Sequence, residues 1–296
     1  MKDSFAGFHP VINFIYFTAV IGFAMFFTHP ACLLISLACA FAYSIYLKGR
    51  RALRFNLLVM LPMLAVTALL NPAFNHQGVT ILTYLPSGNP LTLESIAYGG
   101  AAGAMFITVI CWFSCYNEVM TSDKFVYLFG RVIPALSLVL SMTLRFVPKF
   151  KAQLKVVSTA QKCVGRDAST GGVIRRARNG LRILSIMITW SLENAIETAD
   201  SMKSRGYGLP GRTAFSIFRF DRRDKLALTV LLGCVFYILL GAWLGGIKWR
   251  YYPSIKGRLT GPLYLSVLAV YLLLCALPLL INDWEDRKWK RLISEA

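Results

Sequence analysis

The sequence predicts an all-α polytopic membrane protein, with about six transmembrane helices and a further helical module outside the bilayer. Three observations carry this. Mean hydropathy is +0.56 with only 16% charged residues, a balance that ordinary soluble domains lack. Six apolar runs reach or approach the roughly 20 residues that a helix needs to cross a bilayer. Between Arg145 and Lys225 the character changes: 17 Lys or Arg stand against 6 Asp or Glu, net +11 of the chain's +18.

The six runs cover residues 11–28, 31–47, 55–70, 93–116, 227–246 and 262–281. Only His29 and Pro30 separate the first two, which predicts a tight helical hairpin. The third is short and calls for a thin or shielded site. Met1 to Pro10 lacks the basic region of a secretory signal, so the first run is expected to stay. A seventh run, Val132 to Val147, carries Pro134 and Arg145 and ends at Pro148.

Charge placement sets the sidedness. Lys48, Arg50, Arg51 and Arg54 crowd one loop without an acid, whereas Asn71 to Ser95 holds no Lys or Arg. The first loop is therefore expected to be cytoplasmic. A cytoplasmic N-terminus follows, and the basic region stays on that side if the Val132–Val147 run lies on the membrane or dips into it. Lys248, Arg250, Lys256 and Arg258 resist this topology, because it places their loop outside. The resulting divisions are N-terminal spans at 1–130, a membrane-surface segment with soluble helices at 131–225, and a C-terminal transmembrane hairpin and tail at 226–296.

Within the soluble part, Phe150, Leu154, Val157 and Val164 form one stripe, with Lys151, Lys155 and Lys162 off it, at the spacing of an amphipathic helix. Gly165, Gly171 and Gly172 break that helix. A second begins near Val173 and sets Arg175, Arg176, Arg178 and Arg182 opposite Ile174, Ala177, Leu181 and Leu184. Leu192, Ala195, Ile196, Ala199 and Met202 continue its stripe. Gly206 and Gly208 suit the end of this helix, and Pro210 prevents its continuation.

Little else points to chemistry. Cys111 and Cys115 share a helix face inside an apolar span without a nearby histidine or carboxylate, so packing is expected rather than metal binding or a disulfide. His9, His29 and His76 sit at segment ends, where hydrogen bonding is expected. Glu94 and Glu118 mark the two ends of the fourth span. The dipeptide Gly-Lys occurs nowhere, which excludes a phosphate-binding loop, and no cofactor is expected. The basic region holds few aromatics off its apolar stripes, which argues against nucleic acid and for anionic lipid or an acidic protein groove.

Three stretches carry a resemblance: NPAFNHQGVTIL after the third span, LRFVPKF with STAQ following, and ADSMKSRGYG at the end of the last soluble helix. In this order the chain resembles, over nearly its whole length, the transmembrane T component of energy-coupling factor (ECF) transporters, the family of the cobalt-transport subunit CbiQ. The resemblance implies a scaffold subunit of an ABC importer in a prokaryotic cell membrane, multi-pass, with its N-terminus, the 149–225 region and its C-terminus cytoplasmic. It implies two ABC ATPase partners docked through coupling helices, and an S component that binds the vitamin or transition-metal ion. The chain itself would not be an enzyme. A stand-alone secondary transporter or membrane enzyme is the alternative; that class expects ionisable residues inside the spans, and the six runs hold almost none between their ends.

The resemblance also implies that each of two coupling helices ends in small residue, arginine, glycine, with the arginine entering a groove on one ATPase. Ser204, Arg205 and Gly206 fit the second motif. A guanidinium there offers a planar fork for a carboxylate and meets the negative end of the helix dipole. The bland alternative is an arginine that caps its own carbonyls and faces water. The first motif departs from the pattern: in AQKCVGRDAS, Arg166 follows Gly165 and adjoins Asp167. The equivalent position is shifted by two residues, occupied by Val164, or replaced by Arg166 reaching back, with Asp167 expected to neutralise part of its charge.

Overall fold

A computed structural model describes residues 3–84, 90–130, 134–167, 169–207, 209, 218–257 and 260–294. The chain folds into two compact units, Met1–Thr121 with Phe218–Ala296, and Ser122–Ile217.

The first unit is a helical bundle. Helix α1 spans Pro10–Phe26 and α2 spans Pro30–Lys48. Both start the same way. Proline at the first helical position has no N–H to leave unsatisfied, and the preceding histidine accepts the next amide: His9 Nδ1 from Val11 at 3.3 Å, His29 Nδ1 from Ala31 at 3.2 Å. Two of the three histidines are thus helix caps. After Gly49 come α3 (Arg50–Phe55), a wide π turn (Asn56–Met60) and α4 (Leu61–Phe74), which together give a span over Ala52–Phe74. This is longer than the 55–70 run implied, so no thinned site is needed. Helices α5 (Leu93–Val119), α9 (Arg222–Trp243) and α10 (Pro262–Ser294) complete the bundle. Among the described residues five segments are long and apolar enough to cross a membrane, and α1, with 17 residues, is a shorter apolar helix.

Close backbone approach joins α4 to α5. A Cβ at Gly99 would lie 2.7 Å from the Ala68 carbonyl oxygen, and one at Gly103 would lie 2.6 Å from Thr67 Oγ1. This Gly-x-x-x-Gly pair is a small-residue seam of the kind that lets apolar helices touch where water supplies no driving force. The bundle centre is aromatic. Tyr16, Phe17, Tyr43 and Trp112 are fully buried with Phe5, and Phe5 meets Tyr16 edge-on at 5.0 Å. Such pairs add about 0.5–1.5 kcal/mol beyond area burial. The polar tips are satisfied: Trp112 Nε1 donates to Ser36 Oγ at 2.9 Å and Tyr16 OH to the Cys275 carbonyl at 3.2 Å.

Polar contacts define the two ends of the bundle. At one, Tyr43 OH and Asn282 Nδ2 both donate to the Asp3 carboxylate, at 2.9 and 2.6 Å, and Arg223 pairs with Glu285 at 2.6 Å. At the other, Tyr251 OH donates to the Thr28 carbonyl at 2.9 Å and Asn75 Nδ2 to Tyr252 OH at 3.2 Å. Two short hairpins, unforeseen from hydropathy, lie in this second set of loops: β1 (Ile81–Tyr84) pairs antiparallel with β2 (Pro90–Thr92), and β3 (Trp249–Arg250) with β4 (Lys256–Gly257). The loop whose charges resisted the topology is therefore a hairpin, its Trp249 ring 4.9 Å from that of His29. Lys248, Arg250 and Lys256 on it are exposed, and Arg258 lies outside the described residues.

The second unit comprises α6 (Ser122–Gly130), α7 (Pro134–Cys163) and α8 (Val173–Ser204). Pro148 was expected to end a run, yet it sits inside α7. The helix forgoes the one amide bond that proline cannot make, and contacts on either side hold it: Lys149 Nζ donates to Asn194 Oδ1 at 2.6 Å, and the Phe150 ring meets Trp190 edge-on at 5.3 Å. Residues 131–133, where the seventh run begins, lie outside the described residues.

Candidate functional site

The site is built on the α7–α8 hairpin. Lys149 reaches Asn194, Val157 buries with Ile183 and Met187, and Asn179 Nδ2 donates to the Asp167 carbonyl at 2.9 Å. Rising numbers on α7 meet falling numbers on α8, so the two helices are antiparallel. Their C-terminal ends therefore point opposite ways, and Gly165 and Arg166 are not brought together with Ser204, Arg205 and Gly206. From Asn179, beside the first end, to Ser204 at the second is roughly 38 Å at 1.5 Å per helical residue.

The two ends are nonetheless the same structure. At α8, Gly206 is left-handed (φ +73); its N–H bonds the Lys203 carbonyl at 2.9 Å and that of Tyr207 bonds Met202 at 3.0 Å. At α7, Gly165 is left-handed (φ +71); its N–H bonds Lys162 at 3.0 Å and that of Arg166 bonds Gln161 at 2.9 Å. Each is a Schellman closure, with paired bonds that satisfy carbonyls the helix leaves orphaned, and glycine is favoured because a Cβ is strained at that φ. Superposing the motifs residue by residue places Val164 at the position of Arg205, Cys163 at that of Ser204, and Arg166 at that of Tyr207. Of the three readings open from sequence, occupation by Val164 fits the backbone register. Arg205 is exposed, and among the described residues it forms no ion pair. Ser204 Oγ donates to the Ser201 carbonyl at 2.9 Å, which turns the hydroxyl back on its own helix. Gly208 and Pro210 lie outside the described residues.

Asp167 does not neutralise Arg166. Its carboxylate accepts from the Ser169 hydroxyl at 2.7 Å and amide at 2.9 Å, and its ion pair is with Lys162 at 3.7 Å. Ser169 first, and Lys162 less, hold its carboxyl below the usual carboxylate range. Arg166 instead faces an open groove of about 700 Å³ that it shares with Arg175, Arg178 and Arg182, with Asn179 also lining it. From sequence, Arg175, Arg178 and Arg182 read only as a helix face, whereas Arg166 is a candidate for the first coupling motif. The Asn179–Asp167 bond, which draws the loop onto α8, has no local signal.

Along α8 a second feature is apolar. Leu181, Leu184, Ile188, Leu192 and Ile196 stay exposed at intervals of three and four residues, while Ile183 and Met187 face α7. Phe150 and Leu154 join part of this stripe in an apolar cleft of about 710 Å³. In the first unit, Cys111 and Cys115 are buried free thiols. Glu94 accepts from Thr80 Oγ1 at 2.9 Å in the first turn of α5, and Glu118 lies 3.8 Å from Lys48. Among the described residues no group of His, Cys, Asp and Glu could hold a metal ion.

The family pattern of the cobalt transport proteins, CbiQ, matches residues 4–217, which takes in both the bundle's first five helices and the whole hairpin. The chain belongs to this family. Curated relatives of this CbiQ-family chain carry the name energy-coupling factor transporter transmembrane protein EcfT. That of Leuconostoc gelidum subsp. gasicomitatum is 33% identical over 119 residues, 40% of this chain and 44% of the relative. That of Lactobacillus helveticus is 34% identical over 109 residues, 36% and 39%, and that of Lactococcus lactis subsp. cremoris 32% over 109 residues, 36% and 40%. The matched stretch thus spans about two-fifths of the length of these relatives.

Proposed function

We propose that this multi-pass membrane protein is the T component of an ECF-type importer. It couples ATP hydrolysis by two cytoplasmic ABC ATPase subunits to uptake of a vitamin or transition-metal ion through an S component. The observation that carries the reading is the pair of equivalent helix ends, facing opposite ways on one hairpin roughly 38 Å apart. A single compact partner would not need two such ends, whereas two copies or homologues of one ATPase would each take one. Arg205 is the anchor at the second end: its guanidinium is exposed, charged and, among the described residues, without an ion pair, and it enters a groove lined by carboxylates. The apolar stripe of α8 is the surface for the S component, because a soluble helix seldom leaves so continuous an apolar row uncovered. The N-terminus, the hairpin and the C-terminus face the cytoplasm, a sidedness that the arginines of the 48–54 loop support.

Co-purification tests this. Expressed with the ATPase genes of its own genome, the tagged chain should bring down two nucleotide-binding subunits, and ATP turnover should appear only in their presence. A chain that purifies without them, or that hydrolyses ATP in a preparation shown by mass spectrometry to lack them, sinks the reading.

A further inference from the structure

The first helix end lacks the arginine of the second, yet the region around it is the more basic of the two. We infer that the groove formed by Arg166, Arg175, Arg178 and Arg182 is the docking contact at that end, and that it takes an acidic segment of one ATPase subunit. This rests on the function proposed above and assigns to it a site made of different residues.

The groove is built rather than incidental. Arg175, Arg178 and Arg182 follow at three- and four-residue spacing on one face of α8, and the bond from Asn179, only 7% exposed, to the Asp167 carbonyl holds the loop so that Arg166 joins them. Its lining contains four cations and no acid. The neighbouring acid Asp167 is occupied by Ser169 and Lys162. Among the described residues none of the four guanidiniums enters an ion pair. Helix α8 also begins at Gly172 without a side-chain cap, so its first-turn amides and dipole add to the positive potential. Four like charges lining one concavity repel one another, and an anion relieves them.

The partner is better read as protein than as membrane. Lipid-binding basic segments use Lys and Arg alike, attracted through charge. The first three turns of α8 contain arginine and no lysine, and arginine is enriched and lysine depleted in protein interfaces, because the planar fork pairs bidentately with a carboxylate. Val173 and Ile174 beside the groove, 82% and 81% exposed, supply the apolar contact that such an interface adds to its charges. The contact is thereby displaced from the helix tip, where Val164 stands, by one turn of loop onto the start of the next helix.

The test measures the affinity of the full chain, in nanodiscs of zwitterionic lipid, for its purified ATPase pair. R175Q/R178Q should weaken binding by about tenfold and flatten its salt dependence, since each tenfold is 1.4 kcal/mol and paired interface charges carry at least that. K151Q/K155Q, which removes the same charge from the hairpin, should change it less than about twofold, as expected of solvated charges. A photocrosslinking residue at Arg175 in the otherwise unaltered chain should capture an ATPase peptide rich in Asp or Glu, a readout that survives if the double variant misfolds. If the unaltered chain binds no ATPase, the proposed function itself fails. If it binds, and R175Q/R178Q binds equally well or the crosslinker captures no ATPase, the groove inference alone is overturned. It is overturned too if the variant keeps its ATPases and loses only its retention on phosphatidylglycerol-rich vesicles, which would make the occupant a lipid surface.

Discussion

Val164 and Arg205 occupy the same position in two copies of one helix-ending motif, each directly before a left-handed glycine whose amide closes on a lysine carbonyl, Lys162 or Lys203. Identical backbones thus present an aliphatic side chain at one end and a guanidinium at the other. Arg205→Ala should weaken ATPase docking by roughly 30-fold or more, because truncating one member of a desolvated charge pair costs about 2–5 kcal/mol. Arg205→Lys should recover only part of it. Binding of the purified ATPase pair in nanodiscs measures this, with Lys203→Ala as control; equal, small losses in Arg205→Ala and Lys203→Ala would make the end a solvated surface.

The same equivalence predicts a gain. Val164→Arg places a guanidinium where the register already provides the backbone, and should tighten docking by about threefold to tenfold, the range of a partly desolvated ion pair. The assay is the same binding titration. Unchanged affinity alongside a large Arg205→Ala loss would show that the tip residue of the first end lies outside the contact, which is then confined to the arginine groove.

Sidedness is open to chemical labelling. Ser169 is exposed in the loop between α7 and α8, and a cysteine there in a cysteine-free background should resist a membrane-impermeant thiol reagent in intact cells and react after lysis. Modification in intact cells would reverse the topology.

The glycine seam makes a paired prediction. Gly103→Ala brings a methyl within 2.6 Å of Thr67 Oγ1 and should destabilise the purified protein by about 1–3 kcal/mol, the usual cost of overpacking. Gly100→Ala, whose Cβ meets nothing within 4 Å, should be near neutral. Detergent-unfolding midpoints compare the two, and combining Gly103→Ala with Thr67→Ala should restore part of the loss.

The Asp167 turn should respond to acid. Because its carboxyl is held below the usual range by Ser169 and then Lys162, its stabilising effect is present above the ordinary carboxylate pKa and disappears as pH falls through the depressed one. Asp167→Asn should therefore speed amide exchange around residues 165–172 at neutral pH, and the two proteins should converge at strongly acidic pH. A constant difference across the titration would place the effect in packing rather than charge.

The transmembrane runs were legible because hydropathy summed over many residues survives local irregularity: the fourth, read at 93–116, is the helix Leu93–Val119. The hairpin's second helix was legible too, starting at Val173 and turning at Gly206, since amphipathic spacing and a glycine stop are local signals. What stayed hidden depends on partners distant in sequence. Pro148 reads as a terminator unless Trp190 and Asn194 are known to brace the turns beside it. The Gly99–Gly103 seam has meaning only against α4. The arginine groove exists because Asn179 binds a carbonyl twelve residues back, and Arg166 could not be assigned from sequence because its neighbour Asp167 turns to Ser169 and Lys162 instead. The β3–β4 hairpin is too short to register as alternation.

Helix α8 runs 32 residues without an internal proline, roughly 48 Å of rod at 1.5 Å per residue, while α7 beside it contains Pro148. Mechanically the two differ: one is a beam, the other a beam with a built-in joint. A tilt of about 10° at one end of a rod that long sweeps the other through roughly 8 Å. A rotation of about 10° delivered at Arg205 would thus arrive at the far end as a stroke of roughly 8 Å, with stiffness supplied by the unbroken amide ladder and compliance left to the neighbouring helix.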